Sequence, residues 1–355
     1  MIPLYKPYMP DQLPELDAIL HSGNLAYGKW GTCFEEKLRK YIGNDLLVTT
    51  NTYASAIQTA LTVLGLQPGD EVIASPMSCL ASNLPLAAFG LKVVWADIDP
   101  AMGTLDPDSV KSRIKPQTKL IFHNHFCGYA GYIDEINAAG KEYGIPVIDD
   151  CVEAFGTVYK GRKTGNLGTD ITLFSFQTVR LPNTIDGGAL SFRNKEHFEK
   201  ALLVRDFGIN RAVFRDKHHE ISPECDISQP GYGATMSDVN SYIGCLQMDV
   251  LDELLEKQQK NAILWNQWFE NNMNGVFRLN RRKETRPNYW VYGFLSEHKL
   301  DDMLRFRELG YYASGVHLNN NNYSVFGRKE YLPGVEKFNA GFVAVPCGWW
   351  VNREK

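Results

Sequence analysis

Two apolar stretches in the middle of the chain end in side chains that can bind a charged ligand. Residues 145–150, Ile-Pro-Val-Ile-Asp-Asp, predict a short buried strand that ends in Asp150. Residues 171–176 predict a second strand, which leads to Ser175 and Arg180. Open α/β sheets bind their ligands at the carboxyl ends of the strands. We therefore expect Asp150, Ser175 and Arg180 to line one pocket.

The guanidinium of Arg180 limits the chemistry of this pocket. It keeps its proton and offers no nucleophilic nitrogen, so it cannot condense with an aldehyde as a lysine amine does. Its planar fork donates hydrogen bonds to phosphate or carboxylate. A strand-to-helix turn after Val48 presents backbone N–H groups and the positive end of a helix dipole, which also suit a phosphate. The simpler interpretation of that turn is a helix N-cap by Thr50, Asn51 or Thr52.

Strand and helix patterns alternate through the first part of the chain. Four apolar strand patterns separated by helical patterns lie between residues 48 and 125, which predicts an α/β domain with a mostly parallel sheet covered on both faces. Residues 241–269 give the longest helical pattern. We expect this helix to lead from a large domain, residues 1–247, to a small α+β domain, residues 248–355.

Composition and charge favour small molecules as partners. The net charge of -4 provides no basic field, so nucleic acid is not an expected partner. The seven cysteines are scattered singly, which predicts free thiols in a reducing cytoplasm and no metal site. No apolar run approaches the roughly 20 residues of a membrane span, and the start of the chain lacks the apolar core of a secretory signal. We expect a cytoplasmic protein.

The spacing of Asp150, Glu153 and Ser175, with position 180 beyond them, resembles the DegT type of sugar aminotransferase. This family is a branch of the pyridoxal phosphate (PLP) enzymes with the fold type I architecture. The resemblance assigns Asp150 to the protonated pyridine nitrogen of the cofactor, Glu153 to its phenolic oxygen and Ser175 to its phosphate. The residue at position 180 would be the lysine that forms the Schiff base. Here it is Arg180.

Other segments match the family in order from Pro3 to Trp350, but several cofactor positions differ. Tyr53 and Ala54 replace the glycine and threonine of the family's phosphate loop, and Cys79 replaces an aromatic residue that stacks on the pyridine ring. Thr235 replaces an asparagine or arginine that reaches the cofactor phosphate of a neighbouring subunit. The resemblance implies further positions that contact the cofactor, which are Thr52, Tyr53, Ala54, Cys79 and Thr235. It also implies two positions that contact the substrate, His317 and Asn319.

The resemblance also implies a fold and a set of partners. The expected fold is a large domain with a mixed, mostly parallel seven-stranded sheet and a small α+β C-terminal domain, assembled as a homodimer. The expected partners are a nucleotide-linked sugar and, if the protein is active, an amino donor such as glutamate. The expected cofactor is PLP or pyridoxamine phosphate (PMP), or the pocket binds neither. The implied biological role is polysaccharide or amino-sugar biosynthesis.

Arg180 leaves three functions open. The first is a nucleotide-sugar aminotransferase that is altered in, or lacks, transamination. The second is a non-catalytic homologue that binds a nucleotide-linked sugar or pairs with an active paralogue; an ion pair between Asp150 and Arg180 would favour it. The third is a PMP-dependent sugar dehydratase, although the family's dehydratases have histidine at this position and arginine is a poor general base.

Overall fold

The structure is a computed structural model, and it describes residues 1–273, 275–279 and 282–352. The strands of these residues are β1 (Leu47–Thr50), β2 (Glu71–Ala74), β3 (Lys92–Trp95), β4 (Ile98–Asp99), β5 (Thr104–Leu105), β6 (Thr118–Asn124), β7 (Val147–Asp150), β8 (Val158–Tyr159), β9 (Arg162–Lys163), β10 (Ile171–Ser175), β11 (Gly188–Phe192), β12 (Val276–Arg278), β13 (Thr285–Arg286), β14 (Tyr292–Ser296) and β15 (Phe342–Val345). The α-helices are α1 (Leu16–Leu20), α2 (Lys29–Ile42), α3 (Tyr53–Val63), α4 (Leu80–Ala88), α5 (Pro107–Arg113), α6 (Ile133–Tyr143), α7 (Lys195–Val204), α8 (Asp238–Asn272), α9 (Lys299–Glu308) and α10 (Pro333–Gly341). Short 3-10 helices lie at Asn320–Asn322 and Ser324–Phe326.

The central feature is a seven-stranded sheet in the order β1-β11-β10-β7-β6-β2-β3. The pairs from β10 to β3 are parallel, and β11 runs antiparallel to both of its neighbours, β1 and β10. The sheet is therefore mixed and mostly parallel, which confirms the predicted fold class. The four strands β1, β7, β10 and β11 are buried at every position, as expected for a sheet covered on both faces.

Helix ends follow from local sequence. Thr52 is the N-cap of α3, and its side chain accepts a hydrogen bond from the Ser55 N–H. This confirms the simpler interpretation of the turn after β1. Gly43, with φ of 79°, ends α2 in the left-handed conformation that glycine tolerates best. Both ends fix how the chain enters and leaves β1.

The C-terminal part has its own three-stranded sheet, in the order β12-β14-β15. Its core contains Trp265 from α8 together with Phe294, Phe306 and Val343. Helix α8 is 35 residues long and contains the predicted boundary between residues 247 and 248. That boundary stays a prediction. Residues 353–355, at the end of the predicted small domain, lie outside the described residues.

Two general features bear on the expectations from sequence. Each of the seven cysteines is a free thiol in the structure. In residues 1–273, 275–279 and 282–352, no helix is both long enough and apolar enough to cross a membrane.

Candidate functional site

Asp150 lies at the carboxyl end of β7 and is fully buried. Its Oδ1 atom accepts hydrogen bonds from the Tyr53 hydroxyl (2.6 Å) and the Val152 N–H (3.0 Å). Its Oδ2 atom is buried and has no hydrogen-bond partner in the described part of the chain. Burial raises the pKa of Asp150 to about 6, against the opposing effect of these donors and of Ser82. One carboxylate oxygen of Asp150 is therefore able to accept a hydrogen bond from a donor that enters the site.

Glu153, three residues later, is held from two sides. Its Oε1 atom lies 2.7 Å from His317 Nε2, and its Oε2 atom accepts a hydrogen bond of 2.7 Å from the Cys127 N–H. Burial alone would raise the pKa of Glu153, but His317, then Arg180 and the Cys127 N–H, outweigh it and hold the pKa below its ordinary value. Glu153 is thus a fixed, ionised carboxylate.

Arg180 is only 8% exposed, and its charge partner in the structure is Glu153, with Nη1 3.6 Å from Oε1. Its Cζ atom lies 4.3 Å from the centre of the Trp290 ring, and Tyr5 stacks on Trp290 with ring centres 4.5 Å apart. The buried Nε and Nη1 atoms of Arg180 have no hydrogen-bond partner among the described residues. The position of the expected lysine is therefore filled by a buried cation with unused donors.

Two strands and a helix start meet beside Asp150. Ser175 at the end of β10 and Thr50 at the end of β1 both pair with Gly188 of β11, which lies between them. A Cβ atom on Gly188 would lie 2.8 Å from the Thr52 carbonyl oxygen and 3.1 Å from the Tyr53 Cα, so only glycine allows this approach. The structure thus brings Ser175 next to the start of α3.

The start of α3 carries three of the predicted cofactor residues. Thr52 uses its hydroxyl to cap the helix, while Tyr53 and Ala54 are the first two helical residues. Their backbone N–H groups have no partner within the helix by its geometry. The Tyr53 side chain is 6% exposed, and its hydroxyl reaches Asp150. Ser175 Oγ accepts a hydrogen bond from the Gln177 N–H at 3.4 Å.

Of the remaining predicted residues, Cys79 and His317 lie near Arg180 and Glu153, whereas Asn319 and Thr235 have other surroundings. Cys79 directly precedes α4; burial raises its pKa, and the charge of Arg180 opposes that rise, so Cys79 lies within the field of Arg180. His317 contacts Glu153 as described. Asn319 instead joins an amide network, because its Oδ1 accepts hydrogen bonds from Asn322 and Asn339. Thr235 lines a cavity of about 750 Å³ whose walls include Tyr27, Arg205 and Arg211.

Several contributors to this site were not predicted from sequence. Tyr5, Trp290 and the Cys127 backbone N–H surround Glu153 and Arg180, and Ser82 lies 3.3 Å from the Tyr53 hydroxyl. Tyr5 and Trp290 come from opposite ends of the chain and belong to no shared motif. The sequence signalled one of these contacts indirectly, because the tyrosine at position 53, where the family has glycine, brings a hydroxyl close to Ser82.

A second buried cluster lies behind the site. His123 Nδ1 is 2.7 Å from Asp149 Oδ1, and His125 Nε2 is 3.1 Å from Asp149 Oδ2. The three side chains are close enough together to suggest a metal site. However, the Gly131 N–H donates to His125 Nδ1, so Nε2 carries the proton and donates it to Asp149. Although burial raises the pKa of Asp149, the two histidines hold it well below its ordinary value. The cluster is a hydrogen-bonded brace between β6 and β7.

Comparison with known proteins bears on the fold and the family of the chain. The uncharacterized protein MJ1066 of Methanocaldococcus jannaschii is 28% identical over 295 residues, which are 83% of this chain and 76% of the relative. The sugar aminotransferase CalS13 from Micromonospora echinospora superposes with a TM-score of 0.92 at 27% identity, covering 100% of this chain and 96% of that one. AtS13 from Actinomadura melliaura also has a TM-score of 0.92, at 29% identity, with 100% and 95% covered. The sequence profile of the DegT/DnrJ/EryC1/StrS aminotransferase family matches residues 9–340, and the chain belongs to that family.

Proposed function

We propose that this protein binds PLP or PMP together with a nucleotide-linked sugar, and that it holds the cofactor without a covalent bond to its own chain. Transamination in the usual manner of the family is then altered or lost. The observation that carries the proposal is Arg180, which lies buried beside Glu153 at the position of the family's lysine. A guanidinium offers no nucleophilic nitrogen for the cofactor's aldehyde.

The residues present fit a non-covalently bound cofactor. Asp150 Oδ2 is a buried acceptor with no partner among the described residues, which suits a protonated pyridine nitrogen. Ser175 and the free N–H groups of Tyr53 and Ala54 would hold the phosphate at the start of α3. When bound, the cofactor supplies an electron sink for chemistry at an attached carbon. The residues whose difference from the family weakens this fit are Arg180, where the covalent bond would form, and Ala54 and Thr235, where contacts to the phosphate are weakened.

The proton-transfer chemistry of the pocket must also differ from that of the family. Arg180 stays protonated and cannot act as a general base. The imidazole Nε2 atom of His317 lies 2.7 Å from Glu153 Oε1, and Glu153 in turn lies beside Arg180. This placement favours a second candidate function, PMP-dependent dehydration of a sugar, in which His317 would move the proton. Replacing His317 with glutamine would abolish such an activity and leave cofactor binding intact.

Two proposals concern assembly. We propose that the protein is a homodimer or that, as a non-catalytic homologue, it pairs with an active paralogue. In either assembly Thr235 contributes to the neighbouring cofactor site. Exposed apolar side chains on the segment after α7 support a partner surface: Phe207 is 56% exposed and Ile221 is 61% exposed. The molar mass from light scattering tests the homodimer, with a monomeric value as the contradicting result.

Substituting Arg180→Lys tests the proposed function most sharply. We expect weak or absent recovery of a covalent PLP adduct, measured as yellow absorbance and as borohydride-trapped mass on the residue 180 peptide. The reason is that Ala54 and Thr235 each replace a family residue that contacts phosphate. Each missing charge-assisted hydrogen bond costs about 1.5–3 kcal/mol, so two losses weaken binding by roughly a hundred to ten thousand fold.

The control for this experiment is Arg180→Gln, which removes the charge without adding an amine. It should give no adduct at any PLP concentration. Full recovery of colour by Arg180→Lys, with amino transfer to a keto-sugar, would contradict a broadly altered pocket and leave an aminotransferase with one changed residue.

A further inference from the structure

The Tyr53 side chain connects the two ends of the candidate cofactor site. Its backbone lies at the first position of α3, where the phosphate would bind, and its hydroxyl donates a 2.6 Å hydrogen bond to Asp150 Oδ1. The side chain is 6% exposed and its position is fixed by the helix on one side and the carboxylate on the other. The family's glycine at this place has no side chain with which to reach Asp150.

The hydrogen bonds of Asp150 are all on one oxygen. Oδ1 accepts from the Tyr53 hydroxyl and the Val152 N–H, while Oδ2 has no partner among the described residues. Two donors on Oδ1 fix the rotation of the carboxyl group and leave Oδ2 as the atom that receives a further proton. We infer that Tyr53 is a positioning residue, which orients Asp150 so that Oδ2 receives the N–H of a protonated nitrogen heterocycle.

The charge on Asp150 depends on the same contact. A hydrogen bond donated to a carboxylate favours its ionised form; the Tyr53 hydroxyl donates one to Asp150 at 2.6 Å, and Ser82 lowers the Asp150 pKa as well. Other titratable groups facing Asp150 are Cys79 at the start of α4, and Cys151 and Glu153 on its own segment. Loss of the Tyr53 hydroxyl should therefore raise the pH at which Asp150 becomes ionised. The statement that Asp150 receives a heterocycle N–H rests on the proposed function. The statement that Tyr53 orients Asp150 and lowers its pKa does not.

The test uses the full chain without cofactor, with ¹³C-labelled aspartate carboxyl groups and the Asp150 signal assigned by Asp150→Asn. We expect Tyr53→Phe to raise the titration midpoint of Asp150 by about one to two pH units, the equivalent of one charge-assisted hydrogen bond. Tyr129→Phe is the matched control, because that buried hydroxyl accepts a hydrogen bond from Gly293 instead. It should leave the Asp150 midpoint unchanged.

A second measurement covers the case in which Tyr53→Phe does not fold. Replacing tyrosine with 3-fluorotyrosine makes the hydroxyl a stronger donor, so the Asp150 midpoint should move down. An unchanged Asp150 midpoint in Tyr53→Phe, or in the fluorinated protein if Tyr53→Phe does not fold, would overturn the inference. Titration with PMP then separates the proposed function from the positioning role of Tyr53. If the wild-type protein binds no PMP, the proposed function is contradicted, but the midpoint of Asp150 still decides whether Tyr53 positions that carboxylate. If PMP binds, Tyr53→Phe should weaken its binding by about ten- to a hundredfold at pH values below the wild-type midpoint, because the ionised fraction of Asp150 falls tenfold for each unit of the shift.

Discussion

The substitution Glu153→Gln should destabilise the folded protein because it leaves the buried cation of Arg180 without its counter-charge. Arg180 Nη1 lies 3.6 Å from Glu153 Oε1, and both side chains are almost fully buried. At that distance and an effective dielectric constant of about 20, the Coulomb attraction is about 5 kcal/mol. Removing one partner of a buried pair typically costs about 3–5 kcal/mol. We expect about 3 kcal/mol, since the two groups do not form a direct hydrogen bond at this separation.

Urea denaturation of wild type, Glu153→Gln, Arg180→Gln and the double variant measures this cost. The double variant should be more stable than Glu153→Gln alone, because no charge is then left unpaired. The penalty should also depend on pH. Since the pKa of Glu153 is lowered below its ordinary 4.5, its stabilisation is present above that pH and is lost as the pH falls through the lower folded value. A loss below about 1 kcal/mol, or strictly additive single effects, would refute the ion pair as a stabilising feature.

Two further substitutions test other parts of the site. In denaturation experiments, Asp150→Asn should stabilise the protein by ~2–3 kcal/mol at pH 8 and give no gain at pH 4. The reason is that burial raises the pKa of Asp150 from 3.8 to about 6, so that stability of the wild-type protein is lost as the pH rises through 6. Equal effects at both pH values would contradict this prediction. Ile185 has φ of 70°, a conformation that is costly for a β-branched residue. Ile185→Gly should therefore raise the free energy of unfolding by about 1 kcal/mol. A clear decrease in the free energy of unfolding would show that this backbone is not strained.

The sequence predicted the architecture because its strands are short, buried and apolar. The runs that became β6, β7 and β10 give continuous hydrophobic patterns, and helices separate most of the parallel strands. Asp150 and Ser175 could be placed at one edge because each ends its strand. The sequence offered Thr50, Asn51 and Thr52 as candidate N-caps before a helical pattern, and in the structure Thr52 is the one that caps α3.

The contacts of the side chains could not be predicted in the same way. An ion pair between Asp150 and Arg180 would have favoured the non-catalytic function, but the structure pairs Arg180 with Glu153. The reason is packing from distant segments, since Trp290 and Tyr5 form the surface on which the guanidinium lies. No local pattern encodes that surface. The sequence assigned Tyr53 to the cofactor as a position where the family's glycine is lost, and gave no sign that its hydroxyl reaches Asp150.

The central claim is that the pocket holds its cofactor without a covalent bond to the chain. Equilibrium dialysis of the wild-type protein against PLP, followed by borohydride reduction and peptide mass spectrometry, tests it directly. We predict saturable PLP binding that Asp150→Asn weakens, together with no trapped adduct on the peptide that contains residue 180. Absence of saturable binding, or a borohydride-trapped adduct on a lysine that requires Asp150, would contradict the account.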